Sequence, residues 1–205
     1  MYLSRIKLNT GIRATIKLLS SPQVVHATVE ASFAEDNKTR KLWRLDYFQG
    51  HPYVIILSQN KPDLTQFATQ FGYPECPGEI HDYQKVLEIL KDGQRYRFRL
   101  CANPVHSVSQ GEGKRGKVMA HVTITQQEEW LKSKSDKLGF TLKQFMVVQH
   151  DMKRFTRQHK YVTLGTATFE GILQIENVAL FKDTLINGIG RGKAYGCGLL
   201  TLARL

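Results

Sequence analysis

Five of the sixteen glycines in this chain fall between Gly188 and Gly198, in the closing segment GIGRGKAYGCGLLTLARL. No other stretch restricts the fold so much. Clustered glycines let backbone turn where a side chain would not fit, or let backbone amides approach a ligand. Arg191 and Lys193 lie among them, and the mostly apolar run Leu199–Leu205 follows at once. A strand tied into a sheet is the expectation for that run. Two readings of the loop stay open: an anion-facing loop whose ligand is a phosphate, or a helix-to-strand connection that needs glycine for tight packing. A nucleotide cofactor is disfavoured. Within this loop the pattern GxxxxGK[ST] would require glycine at Asn187 and Ser or Thr at Ala194, and no register of Gly188–Gly198 supplies GxGxxG.

Charge points to the same class of partner. Twenty-nine Lys+Arg against eighteen Asp+Glu give a net charge of +11 over 205 residues, the balance of a chain that binds phosphates. Cys76, Cys101 and Cys197 are odd in number and widely spaced, so neither a disulfide framework nor a zinc site is indicated. Met1 leads directly into an alternating YLSRIKLN, without the apolar region of a signal peptide, and no run approaches a membrane span. A reduced, cytoplasmic protein without membrane contact is expected.

Periodicity divides the chain into two similar halves. Tyr2–Leu8 alternates as a strand. Ser20-Ser21-Pro22 starts a helix with Val24, Val25, Thr28, Val29 and Phe33 on one face. Leu42–Tyr47 and Tyr53–Leu57 pair across Gly50 and Pro52, Asp63–Phe71 is a short helix capped by Asp63, and Tyr83–Leu90 is read as a strand. The turn Lys91-Asp92-Gly93 is the expected boundary between domains 1–91 and 92–205. Beyond it, Arg95–Leu100 and Lys117–Thr123 read as strands, Gln126–Leu138 as a helix, Phe140–Gln149 and Tyr161–Ile175 as long strands, Val178–Ile186 as a helix and Leu199–Leu202 as a last strand. Each half follows the ferredoxin-like plan, so the expected class is α+β, with two tandem ferredoxin-like (RRM-like) domains on antiparallel sheets.

Two basic runs suit phosphate contacts. KRFTRQHK (Lys153–Lys160) joins the two long strand candidates, and GKRGK spans Gly113–Lys117. In YRFRL, Tyr96, Phe98 and Leu100 are expected in the core with the arginines outward. None of the seven histidines makes a metal-ligand spacing. His26 stands apart because its place on the first helix turns it away from Val25 and Val29. No nucleophile elbow and no acidic two-metal cluster is present. RNA cleavage on such a chain would use the RNA's own 2′-OH, with protein groups aligning it, moving protons and stabilising charge.

The ordered segments MYLSRIKLN, KLWRLDY (Lys41–Tyr47), YRFRLCANPV (Tyr96–Val105), FEGIL (Phe169–Leu173) and GIGRGKAYGCGLLTL (Gly188–Leu202) give the chain its resemblance to a known family. It resembles the CasE endoribonucleases, the CRISPR-RNA-processing subunits of the type I-E Cascade complex. The resemblance covers almost the whole chain. It implies cleavage of a CRISPR repeat stem-loop (pre-crRNA) at the 3′ base of the stem, without metal or other cofactor, and retention of the mature crRNA as a Cascade subunit that is monomeric when isolated. It also implies that His26 is catalytic, with Gln23 as the second catalytic candidate, able to hydrogen-bond a phosphate oxygen or the 2′-OH but not to act as a phenol acid. Many members have a tyrosine three residues earlier, where this chain has Gln23, and some have a serine at the position of Ala34. The RNA-binding residues it suggests, together with the basic runs, are Arg13, Lys114, Arg115, Lys117, Lys153, Arg154, Arg157, Lys160, Arg191 and Lys193.

Overall fold

The computed structural model describes residues 1–34, 39–111, 113–114, 116–157 and 160–205, with the side chains of Arg157 and Lys160 outside the description. Its first half holds β1 (Tyr2–Lys7), α1 (Arg13–Leu19), α2 (Pro22–Ala31), β2 (Lys41–Phe48), β3 (His51–Ser58), α3 (Thr65–Phe71), β4 (Glu79–Asp82) and α4 (Gln84–Ile89). The second half holds β5 (Arg95–Ala102), β6 (Val105–Val108), β7 (Lys117–Ala120), α5 (Ile124–Ser135), β8 (Phe140–Arg157), β9 (Lys160–Ile175), α6 (Val178–Asn187) and β10 (Leu200–Ala203).

Two four-stranded sheets form, in the orders β2-β3-β1-β4 and β10-β5-β9-β8, and every recorded strand pairing within them is antiparallel. Numbered within each half, both orders are the ferredoxin order, so the fold consists of two ferredoxin-like domains. The hairpin β6–β7 is an insertion in the second. Local chemistry accounts for several junctions. Gln49 (φ 50°) and Gly50 (φ 78°) form the two-residue turn between β2 and β3, and two successive positive φ values match the twist of the flanking strands. Thr123 and Gln126 make a reciprocal capping box at the start of α5. Asn177 accepts the Leu180 amide at 3.0 Å at the start of α6.

Three expectations need correction. Tyr83–Leu90 is not a strand. Tyr83, Leu87 and Leu90 are buried and Val86 packs beside them, a spacing of three and four that buries one side of a helix, and α4 occupies this segment. A separate helix, α1, precedes α2, so Arg13 begins a helix and His26 lies on the second one. The basic run is not a loop at its start. β8 continues to Arg157, with Phe155 buried between exposed Arg154 and Thr156, the alternation of a strand. Asp63 does serve α3, accepting the Thr65 amide at 2.9 Å, although the helix itself begins at Thr65. In β5, Phe98 and Leu100 are buried and Arg97 exposed, as expected, but Tyr96 is only half-buried and Arg99 is half-buried because it turns to Asp46 and Glu170.

The core is in two parts. Ile6, Leu8, Val25, Val29, Trp43, Val54, Ile56 and Phe67 fill the space between the first sheet and its helices. A larger cluster joins Phe98, Leu100, Trp130, Phe140, Phe169 and Phe181 of the second domain to Leu42, Ile55 and Leu57 of the first. A buried ion network adds to this junction. Arg44 and Asp46 are both 3% exposed. The guanidinium grips Asp46 through Nε (2.8 Å) and Nη2 (2.7 Å), and donates from Nη1 to the carbonyls of Arg99 (2.8 Å) and Leu199 (2.9 Å). Nη2 also reaches Thr201 Oγ1 at 2.8 Å, so all five N–H donors of Arg44 are used. Arg99 lies 3.2 Å from Asp46 and also pairs with Glu170. A cleft of about 460 Å³ remains between the two sheets, lined among others by Leu3, Ile55, Arg97, Phe98 and Leu202, and by no residue of α2 or of Gly188–Gly198. Among the described residues no helix is long and apolar enough to cross a membrane.

Candidate active site

The site is built on α2. Ser21 is extended and Pro22 opens the helix, where a missing amide costs nothing. Val25 and Val29 then commit one face to the core. His26 falls beside that face, with its side chain 29% exposed. Gln23 lies one turn earlier. Its Oε1 is buried and accepts no hydrogen bond from any described residue. Glu30 lies one turn later, with Oε1 3.8 Å from His26 Nδ1 and Oε2 2.6 Å from Lys41 Nζ.

The glycine segment returns to this helix. Gly188, Gly190, Gly192, Gly196 and Gly198 all have φ between 72° and 92°, the left-handed region that side chains avoid. Gly196 also lies against the Trp43 ring, where a Cβ would come within 2.8 Å. These turns press the short 3-10 turn Lys193–Tyr195 onto α2. The Tyr195 ring meets His26 edge-on, with centroids 6.5 Å apart. The glycines pack tightly, as one of the two readings of this loop expects, and the turn that carries Lys193 lies on α2. Burial pushes the Lys193 ammonium below its ordinary pKa, and the nearby Arg40 charge adds to the effect. Arg191 is exposed, and its backbone bridges Asn103.

The long hairpin β8–β9 meets the loop from the other side. Phe155 packs against Tyr195 at 4.7 Å, in a cluster with Cys101, Leu164 and Cys197. All three cysteines are free. Cys101 and Cys197 are hydrogen-bonded to each other. The bond from Cys197, with smaller help from Lys153, Thr168 and Arg44, draws the Cys101 thiol down to about 7 against the effect of burial, and Cys197 is pushed well up. Lys153 is half-buried and Arg154 exposed. Arg157 and Lys160 pair as the last register position of the hairpin.

The fold thus gathers His26, Gln23, the Lys193 segment and the Lys153 end of β8 around one helix, from positions up to 170 residues apart. Other residues expected to bind RNA lie elsewhere. Arg13 is exposed at the start of α1. Lys114 and Lys117 are exposed on the β6–β7 insertion, which rests on the long hairpin where Ala120 faces Gly165. Arg115 falls outside the described residues. Sequence reasoning missed Glu30, Lys41 and Tyr195. Glu30 had a signal, because it is one helical turn from His26, and Lys41 and Tyr195 both stand inside segments that carry the family resemblance. Among the described residues, no three or more His, Cys, Asp or Glu side chains group as metal ligands.

Comparison with known proteins places this arrangement. A family model described as CRISPR associated protein matches residues 1–204. A CRISPR-associated endoribonuclease, Cse3 of Thermus thermophilus, is 29% identical over 220 residues, covering 99% of this chain and 100% of the relative. The CRISPR system Cascade subunit CasE of Escherichia coli is 31% identical over 192 residues, covering 80% of this chain and 96% of the relative. The structure of Thermus thermophilus Cse3 bound to an RNA representing a pre-cleavage complex superposes with a TM-score of 0.83 at 28% identity, over 98% of each chain. Cas6e of Escherichia coli shares the fold at a TM-score of 0.70 and 21% identity, over 100% of each chain. With matches that run end to end in both sequence and structure, the chain belongs to the CRISPR associated protein family, among the relatives of Cse3 and CasE.

Proposed function

We propose that this chain is a metal-independent endoribonuclease that binds a CRISPR repeat stem-loop and cleaves the precursor RNA at the 3′ base of the stem. It then keeps the product as a cytoplasmic subunit of a Cascade assembly, and is monomeric when isolated. The observation that carries the reading is the meeting of α2, the glycine loop and the long basic hairpin around His26. The relatives support it, because Cse3 is named an endoribonuclease and CasE a Cascade subunit. The two domains are taken to divide between Lys91 and Asp92, since β1–β4 all precede this point and β5–β10 all follow it.

The chemistry asks little of the protein. The 2′-oxygen attacks the adjacent phosphorus, the P–O5′ bond breaks, and a 2′,3′-cyclic phosphate and a 5′-hydroxyl result. His26 moves the proton at the 2′-OH or at the leaving O5′. Gln23, half-buried one turn before His26, is placed to hydrogen-bond a phosphate oxygen through its amide N–H. Lys193 brings positive charge to the phosphorane, and an RNA phosphate beside it would offset the effect of burial on its ammonium. Lys153, Arg154, Arg157 and Lys160 follow the stem's phosphates along the hairpin, with Arg13, Lys114, Arg115, Lys117 and Arg191 as outlying contacts.

Incubation of the pure protein with its cognate repeat hairpin in EDTA tests this, and a single cut at the 3′ base of the stem is expected. Tight binding with uncut RNA would favour a second reading, an inert hairpin-binding subunit of the same assembly, for which Gln23 in the place of the family tyrosine is the motivating observation. For the hairpin contact, Arg154→Ala with Arg157→Ala should weaken RNA binding and flatten the dependence of log K on log salt by about 1.5, roughly two lost phosphate contacts. An unchanged slope would place the groove contact elsewhere.

A further inference from the structure

We propose that Glu30 is a positioning residue that fixes the tautomer of His26, so that Nε2 is the nitrogen presented to the RNA. This rests on the reading of His26 as the proton-transfer residue. His26 and Glu30 are four residues apart on α2, on one helix face, with Nδ1 and Oε1 separated by 3.8 Å. That distance exceeds a hydrogen bond, so the contact orients the ring through charge and dipole rather than by a formed bond.

The carboxylate is itself held. Lys41 Nζ lies 2.6 Å from Oε2, its side chain only 4% exposed, and the ammonium sits 5.1 Å from the centre of the Phe33 ring. With one oxygen tied to a buried ammonium, the other is aimed along the helix at His26. A carboxylate only accepts hydrogen bonds. Facing it, a neutral imidazole is favoured with the proton on Nδ1, and Nε2 is left bare to take a proton from a 2′-OH. The opposite tautomer would set a nitrogen lone pair against the carboxylate. Turning the ring over would replace Nδ1 by a carbon, and Tyr195, wedged edge-on between His26 and Phe155, hinders that rotation. Glu30 thus acts on the reaction through His26, and its ion pair with Lys41 ties α2 to β2 within KLWRLDY.

The test is long-range proton–nitrogen correlation NMR on histidine-labelled whole protein, with His26→Ala assigning the signal, alongside single-turnover cleavage of the repeat hairpin. Expected is the Nδ1–H tautomer for His26 in the wild type, and a shift towards Nε2–H in Glu30→Gln. In that variant the single-turnover rate constant should fall about 10–100-fold with RNA affinity unchanged, the size of loss that follows removal of the orienting partner of a metal-bound histidine. An Nε2–H tautomer in the wild type would overturn the proposal without any variant having to fold, and so would an unchanged single-turnover rate in Glu30→Gln. Undiminished cleavage by His26→Ala would instead sink the reading of His26 itself.

Discussion

Replacing His26 by alanine should slow cleavage of the repeat hairpin by about 10²–10⁴-fold while leaving RNA affinity unchanged. The range is that of a positioned proton-transfer group. Binding should survive because the cations proposed to hold the stem lie on other elements, and the His26 side chain is not part of either core cluster. Val25 and Val29 anchor α2 independently of it, so a variant that unfolds is not expected. Single-turnover kinetics with an equilibrium binding isotherm on the same preparation separate the two effects. Near wild-type cleavage would remove His26 from the mechanism, and equal losses of binding and cleavage would make its role structural.

The second large effect concerns stability. Arg44→Met should destabilise the protein by about 3–5 kcal/mol, because it leaves Asp46 buried with only Arg99 beside it. The carbonyls of Arg99 and Leu199 lose a donor as well. For a chain of this length the melting temperature should fall by at least about 6 °C. Changing Asp46 to Leu in the same chain should recover much of that loss, since removing both charges of a buried pair is far less costly than stranding one. Calorimetry on the two variants checks this. Equal instability of single and double variants would mean that the backbone contacts of Arg44, not the ion pair, hold the junction.

Much of this architecture was legible because several strands alternate. Alternation in Tyr2–Lys7 and Tyr96–Leu100 reports strands, β2 is buried on both faces through Leu42 and Trp43, and the order of elements then leaves little beyond the ferredoxin plan. The failures have physical causes. Tyr83–Leu90 is short, and eight residues with five apolar positions fit either period. Packing of Tyr83, Leu87 and Leu90 into the shared core decides for the helix. β8 was cut short because its basic outward side chains suggest a loop, while the single inward Phe155 is a weak signal.

The site was legible in its parts but not in its assembly. His26 and the glycine loop could each be singled out, yet they seemed separate, 162 residues apart between His26 and Gly188. What joins them is Tyr195, whose position depends on left-handed turns at Gly192 and Gly196 and on the Trp43 ring beneath. No spacing rule encodes such a contact. The same holds for Cys101 and Cys197, which are widely separated in sequence and share one buried cluster in the fold. The loop that suggested a phosphate cradle therefore serves first as a seat for the residues that flank His26.

The central claim is that the RNA supplies its own nucleophile and the protein supplies proton transfer around His26. It is tested most directly by a repeat hairpin carrying one 2′-deoxy substitution at the mapped cut site, incubated with wild-type protein in EDTA. The account predicts that the all-ribose hairpin is cut to a 2′,3′-cyclic phosphate and a 5′-hydroxyl, and that the substituted hairpin is bound equally well and left intact. Cleavage of the substituted RNA at the same position would contradict it.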